Sequence, residues 1–466
     1  MAEQVQRKAV TKEASQKGSR GGFTSAMGVM LATLGSAVGL GNIWKFPYMA
    51  GENGGAAFLI VYIICTLLVG LPVMISEIAI GRKARSNAID ALRQVSANHN
   101  QPWWLIGAAG AVAAFLIMAF YTEVSGWVFA YIPKAISGQA LSTDKAVTSE
   151  VFNELASNPV LSLVWQWVVL VVVGLIIMRG VSKGIEATTK RLIPLLFVLL
   201  VIVCIRSLTL PGASQGLSFL FRPDFSARTG NAILAAMGLA FFKLSIGMGT
   251  MITYGSYWRE DQNIPLVTTR VMLSDLFVSI LAGMAIFPAV FAFGYEPTVG
   301  VSLLFQTIPS VFASMPLGSI FMVAFFFLAA VAATGAMISL YEVPVAYLVE
   351  QFKMSRAKAT LLVGVGLALV GSLAALSNST LAGFTPFGKT FFDWFDFLTS
   401  NVLLPLGGLF ISIFVGWVWG PEKVRQVLSN NGTLNNGFIV NAILFVVRYV
   451  TPVLVVIVLL DGFGII

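Results

Sequence analysis

Residues 56–75, 161–178, 319–340 and 401–420 each run without a single charged side chain. A hydrocarbon core of ~30 Å takes roughly 20 apolar residues to cross as a helix. These four runs therefore predict a chain that passes through a membrane several times. Composition agrees, with 57% hydrophobic and 11% charged residues against about 25% charged in soluble domains. Hydropathy divides the chain into eleven predicted spans: 23–50, 55–81, 102–134, 161–178, 187–207, 230–257, 264–294, 316–349, 358–377, 390–419 and 437–461. The expected class is an all-α polytopic membrane protein without a soluble domain. Segment 135–160 is too short for one, and 296–315, holding Pro297 and Pro309, reads as a partly helical external lid.

The first twenty residues are polar and basic, lack an apolar core, and read as a cytoplasmic tail rather than a signal peptide. With that end inside, cytoplasmic segments hold most of the Lys and Arg residues, among them Arg82, Lys83, Arg85, Arg179, Lys183, Arg259, Arg356 and Lys358. The external side holds Lys134, Lys145, Arg206, Arg222, Arg228 and Lys389. This bias predicts a cytoplasmic N-terminus and, with an odd number of spans, an external C-terminus in the inner (plasma) membrane. The same loops account for the net charge of +8 without nucleic acid as a partner. Cys65 and Cys204 lie inside apolar spans, so no disulfide framework is expected. The only histidine, His99, stands alone in a loop, and no Ser/His or metal-ligating cluster appears among the spans. The chain is not expected to be an enzyme.

Lys243 breaks the apolar pattern in the middle of the sixth span. A charge at the bilayer centre costs at least ~3 kcal/mol on the mildest scales. Snorkelling to a span end is the bland explanation, and the central position argues against it. Glycine clusters are equally out of place at "GSAVGLGN" (35–42) in span one and "KLSIGMG" (243–249) in span six. Each mid-helix glycine costs ~1 kcal/mol against alanine. Close helix packing explains one such cluster. Two of them five spans apart suggest a pair of unwound helices in two inverted repeats, spans 1–5 and 6–10. Unwound backbone there can bind a polar solute, and half-helix N-termini favour a carboxylate. The chain then divides into a tail (1–22), a first repeat (23–207), an external loop (208–229), a second repeat (230–419), and span 11 with the C-terminus (420–466).

The stretch "GSAVGLGNIWKFPYMAGENGGAAFLIVY" resembles the first signature of the neurotransmitter:sodium symporters, the LeuT-fold amino acid transporters. The motifs at 181–186, 253–258 ("TYGSYW") and 448–452 ("RYVTP") are similar to others of that family. The resemblance implies the LeuT fold in its eleven-span bacterial form, a 5+5 inverted repeat with helices 1 and 6 broken. It also implies roles for individual residues. The backbone from Ala37 through Gly39 to Gly41 would hold a substrate carboxylate, and the Tyr121 hydroxyl would donate to it. Ile117, Phe242, Ser245, Met248, Ala336 and Leu340 would line the side-chain pocket. Gly39 stands where monoamine-carrying members have aspartate, which favours an amino acid substrate. Lys45 and Asp396 would form the external gate, and Arg20 and Glu350 the cytoplasmic one, supported by Phe23, Tyr257 and Glu342. Gly184 and Pro194 match a device for unwinding span five.

At the ion sites the sequence departs from the family pattern. The first sodium site would use Ala37, Asn42, a threonine and an amide, but Lys243 replaces the threonine and Asp275 the amide. A lysine amine is a tethered monovalent cation, and Asp275 supplies the counter-charge that makes it tolerable. The expectation is that Lys243 stands in for the first sodium and reaches both Asp275 and the substrate carboxylate. The second site would use carbonyls of Gly35, Val38 and Ala332 and two adjacent hydroxyls, but Gly335 and Ala336 occupy the hydroxyl positions. Neighbouring Thr334 is turned away by ~100°. Tyr62 and Ser279 match chloride ligands, whereas Leu239 replaces another, so a required chloride is not expected.

The sequence thus predicts an alternating-access transporter of a neutral, largely apolar amino acid, independent of sodium, with a proton at the Lys243–Asp275 pair as the candidate coupling ion. No other cofactor and no resident metal are expected; the partners expected are the amino acid substrate and the lipid bilayer, with the oligomeric state not fixed by the sequence. Uniport, exchange, a sodium symporter with relocated ligands and a non-transporting amino acid sensor remain as alternatives.

Overall fold

The computed structural model describes residues 21–96, 101–224, 230–295 and 303–462. Arg20, most of the N-terminal tail, His99, residues 225–229 of the external loop and 296–302 of the expected lid lie outside the described residues. Nine described helices are each long and apolar enough to cross a membrane. Two more spans are assembled from shorter pieces. Span 1 consists of Ala26–Ala37 and Gly41–Glu52, bent by 48° at the break. Span 6 consists of Gly230–Lys243 and Thr250–Gly255. The continuous spans are 2 (Ala56–Ala84), 3 (Trp104–Ile136), 4 (Pro159–Met178), 5 (Val181–Leu208), 7 (Ile264–Ala292), 8 (Gly318–Gln351), 9 (Arg356–Ala375), 10 (Phe391–Trp419) and 11 (Gly437–Leu460). All eleven fall where the hydropathy places them. Span 5 begins six residues earlier than expected, because 181–186 form a wide π-type turn that continues into the helix.

Spans 3 and 8 are the longest, at 33 and 34 residues. They pack along each other and form the centre against which the broken helices rest. Span 8 is buried almost throughout its middle, and spans 4, 5, 9 and 11 present apolar side chains outward.

Both breaks have local causes. In span 1 the helix stops at Val38, whose backbone is extended (φ −87°, ψ 101°), and resumes at Gly41. In span 6 the chain turns through Ser245 (φ 53°), Gly247 (φ 78°) and Gly249 (φ 71°). Glycine enters this left-handed region freely. Ser245 does so while its hydroxyl donates to the Ser36 carbonyl at 2.9 Å, which ties one break to the other. The freed Gly247 amide donates to Glu77 Oε1 at 2.7 Å, so a side chain from span 2 satisfies a backbone group that the helix has released.

Candidate functional site

The two breaks meet spans 3 and 8 at one small cavity. Ala37, Gly39, Gly41, Ile117, Tyr121, Phe242, Ser245, Met248, Ala336 and Leu340 all line it, and Ser36 and Lys243 join them. The space left among these side chains is about 20 Å³, room for one water, so a larger solute must push the lining apart. Gly39 is tightly enclosed: a Cβ there would lie 2.9 Å from both the Ala336 methyl and the Tyr121 hydroxyl. The Leu40 amide donates to the Tyr121 oxygen at 2.8 Å. The phenol proton is then left to point at a solute. The Gly39 amide donates to Asn42 Oδ1 at 3.2 Å, so part of the unwound backbone is already engaged by the protein.

Lys243 turns away from the cavity into a closed polar cluster between spans 1, 2, 6 and 7. Its ammonium lies 3.1 Å from Asp275 Oδ2, and both side chains are fully buried. It donates to the Tyr62 hydroxyl at 2.9 Å and to the Ser279 hydroxyl. The Tyr62 ring lies 4.8 Å from the same nitrogen. Asn42 Nδ2 donates to Asp275 Oδ1 at 2.7 Å. Tyr62 donates to Asp275 Oδ2 at 3.3 Å, and Ser279 to the Asp275 carbonyl at 2.8 Å. An ammonium has three donors, and Asp275, Tyr62 and Ser279 take all three. The expected direct reach of Lys243 to a substrate carboxylate is therefore not what the geometry provides. Its stem lines the cavity and its charge is held behind the wall. Tyr62 and Ser279, matched on sequence to chloride ligands, are instead the hydroxyl partners of the lysine.

At the residues expected to form a degenerate second site, span 8 packs directly on span 1 just before its break. A Cβ added to Gly335 would lie 2.8 Å from the Gly35 carbonyl oxygen. The Thr334 hydroxyl donates to the Ala330 carbonyl of its own helix at 2.8 Å. Val38, Ala332 and Ala336 are buried around the same contact and bring no side-chain oxygen.

Outside the cavity, Lys45 Nζ lies 3.1 Å from Asp396 Oδ1 and 4.4 Å from the centroid of the Phe242 ring. Ser400 donates to the same Asp396 oxygen at 2.7 Å. The two residues expected to form the external gate thus touch each other, and Lys45 also touches the Phe242 ring. On the opposite side, Tyr257 donates to Glu342 Oε1 at 2.6 Å, and the Arg356 guanidinium also binds the Glu342 carboxylate. Phe23 packs edge-on against Tyr254 and Tyr257. Glu350 accepts from the Asn87 amide at 2.7 Å; its expected partner Arg20 is outside the described residues.

Three participants are absent from the sequence reading. Arg356 counts there only as an orienting charge, although a buried Glu342 one span earlier demands a cation. Ser36 is not singled out there. Glu186 accepts from the Thr24 amide at 2.7 Å and from the hydroxyls of Thr24 and Ser25, which fastens the start of span 1 to the start of span 5. No periodicity signals that contact.

Two broken helices that meet spans 3 and 8 around a small central cavity are the arrangement of a secondary transporter. A model of the sodium:neurotransmitter symporter family matches residues 20–160 and 149–464, and the chain belongs to that family. It is a multi-pass membrane transporter of the LeuT fold, not an enzyme. Similar relatives include an uncharacterized sodium-dependent transporter of Bacillus subtilis, YhdH, 38% identical over 443 residues and covering 95% of this chain and 98% of that one. Another, from Haemophilus influenzae, is 36% identical over 417 residues, with 87% and 91% covered. The crystal structure of MhsT in complex with L-phenylalanine superposes with a TM-score of 0.89 at 42% identity, covering 95% of this chain and 100% of that one. Both relatives carry sodium dependence in their names, which runs against the sodium independence expected from the ion-site residues.

Proposed function

We propose that this protein carries a neutral, largely apolar amino acid across the plasma membrane by alternating access without sodium, using Lys243 in place of the first sodium ion. The observation that supports this most directly is the fully buried Lys243–Asp275 pair, 3.1 Å apart, at the position where the family places a sodium ligand. A second cation there meets Coulomb repulsion of several kcal/mol even at an effective dielectric near 20. The second site offers carbonyls from Gly35, Val38 and Ala332 but no hydroxyl at Gly335 or Ala336. Chloride has no evident donors either, since the single protons of Tyr62 and Ser279 are directed at Asp275.

The substrate reading rests on the apolar lining from Ile117, Phe242, Met248 and Leu340 and on the L-phenylalanine bound by MhsT. A carboxylate at the span 1 break meets the Tyr121 proton and feels the lysine charge through the wall. In this reading the coupling ion is a proton that the Lys243–Asp275 pair takes up and releases as a unit. The basic loops keep the N-terminus cytoplasmic and the C-terminus external.

Purified protein in liposomes tests the reading. Labelled amino acid is expected to accumulate with choline replacing sodium, and to accumulate more with an inward proton gradient. Uptake that requires a sodium gradient would overturn it. That result would select the second reading, a sodium symporter with relocated ligands, which the names of the relatives favour.

A further inference from the structure

Spans 4, 8 and 9 leave an apolar groove of about 260 Å³ on the lipid-facing side, away from the substrate cavity. Its walls are Trp167, Gly174 and Met178 from span 4 and Leu361 and Gly364 from span 9. Its floor is Tyr341 of span 8, whose hydroxyl donates to the Thr360 carbonyl at 2.8 Å. Absent side chains open the groove. A Cβ at Gly364 would run into the Tyr341 hydroxyl at 2.4 Å, whereas one at Gly174 would meet only ordinary contacts at 3.7 Å and beyond. From Trp167 to Met178 the helix rises about 16 Å, close to half of a ~30 Å hydrocarbon core. The groove is thus one leaflet deep, and no charged side chain lines it.

One end of this groove is strongly basic. Arg356 Nε donates to the Ile177 carbonyl at 2.6 Å, which holds the start of span 9 against the end of span 4. Arg179 and Lys358 flank that contact, and both are exposed. Lys183 follows at the start of span 5, also exposed. None of these three is in an ion pair among the described residues. Arg356 itself is committed to Glu342, and Lys190 to Glu186.

We propose that this groove binds one anionic glycerophospholipid, with an acyl chain between spans 4 and 9 over Tyr341 and the phosphate at Arg179 and Lys358. A leaflet-deep apolar slot with uncompensated cations at its rim fits this chemistry on both counts. A zwitterionic headgroup brings a cation of its own to a cationic rim, and a free phosphate makes no use of the slot.

Native mass spectrometry of the detergent-purified full chain, offered phosphatidylglycerol and phosphatidylethanolamine of identical acyl chains, provides the test. The wild type is expected to retain one phosphatidylglycerol with roughly tenfold preference. Arg179→Gln with Lys358→Gln is expected to reduce that preference to below about twofold. Gly174→Leu is expected to weaken binding of both lipids by filling the slot, and Ala368→Phe, at another lining position on span 9, repeats the test where Gly174→Leu unfolds at lower temperature. All variants keep their amino-acid-dependent thermal shift, because none touches the central cavity. Equal retention of the two lipids by the wild type overturns the proposal. So does a preference unchanged by the charge and filling variants, or displacement of phosphatidylglycerol by glycerol 3-phosphate, which would make the site a headgroup site only.

Discussion

The ammonium of Lys243 and the carboxylate of Asp275 meet at 3.1 Å with no solvent access to either side chain. Two charges inside a membrane protein survive only with a counter-charge and a full set of hydrogen bonds. Here Tyr62, Ser279 and Asn42 complete the set. Removing one member leaves the other charge buried and uncompensated. Lys243→Met is expected to cost about 3–5 kcal/mol of stability, read as the loss in chemical or thermal unfolding in detergent. The double variant Lys243→Met with Asp275→Leu is expected to recover most of that loss. Single and double variants that lose stability additively would show that the two residues do not act as a pair.

Much of this arrangement is legible in the sequence, and the limits have physical causes. Span positions follow from apolar runs, because lipid forces each run to be helical. The breaks follow from glycines with no helical purpose, and the pairing of Lys243 with Asp275 from the cost of an isolated charge. Partners set by the rotation of a helix about its axis are harder to see. One residue turns a helix by ~100°, so no pattern in the chain says that Arg356 rather than another cation meets Glu342, or that Thr24 and Ser25 meet Glu186. Tyr62 and Ser279 stand out on sequence as ion ligands, but in the structure Lys243 claims their oxygens. The direction of the lysine head, away from the cavity, is settled only by packing.

Tyr121 accepts from the Leu40 amide and faces the cavity. Its phenol oxygen holds the span 1 break in place while its proton is available to a substrate carboxylate. A hydrogen bond to a charged group contributes about 1.5–3 kcal/mol. Tyr121→Phe is expected to weaken amino acid binding by roughly 10- to 100-fold, measured by scintillation proximity or calorimetry, with a much smaller loss of thermal stability. Unchanged affinity would remove Tyr121 from carboxylate recognition.

Gly335 meets the Gly35 carbonyl where the family's second sodium site has a hydroxyl. A side chain there overpacks the contact between spans 1 and 8. Gly335→Thr is expected to destabilise the protein by about 1–3 kcal/mol. Lys243→Thr alone is expected to leave melting insensitive to sodium, because removing the lysine supplies only one of the missing oxygens. A thermal shift produced by sodium in the wild type or in Lys243→Thr would contradict the second expectation, and unchanged stability of Gly335→Thr the first.

Lys45 joins Asp396 and lies over the Phe242 ring at the same time. An ammonium makes a point contact, whereas a guanidinium forms a planar fork that grips a carboxylate at two points. Lys45→Arg is expected to slow substrate release to the outside several-fold, and Lys45→Ala to speed it. Exchange of bound labelled amino acid for unlabelled in detergent reads both rates. Equal rates in the three proteins would mean that the pair does not limit exit.

Glu342 is the hub of the opposite closure, since it takes both the Tyr257 hydroxyl and the Arg356 guanidinium while fully buried. Glu342→Gln removes the charge that holds Arg356 and leaves a guanidinium without its carboxylate. The closed state loses more than the open one, because water can solvate Arg356 once the inner side parts. The population is therefore expected to shift toward inner opening. Ala346 reports this shift well. It lies one helical turn from Glu342 on the same face of span 8 and is buried at 2% exposure. The two native cysteines, Cys65 and Cys204, are also buried and give little background. In an Ala346→Cys protein, adding Glu342→Gln is expected to raise the rate of labelling by a water-soluble maleimide about tenfold, and Tyr257→Phe to raise it less. Labelling that stays at the parent rate would show that the closure is held elsewhere, and would leave Arg356 as an anchor of span 9 on span 4 alone.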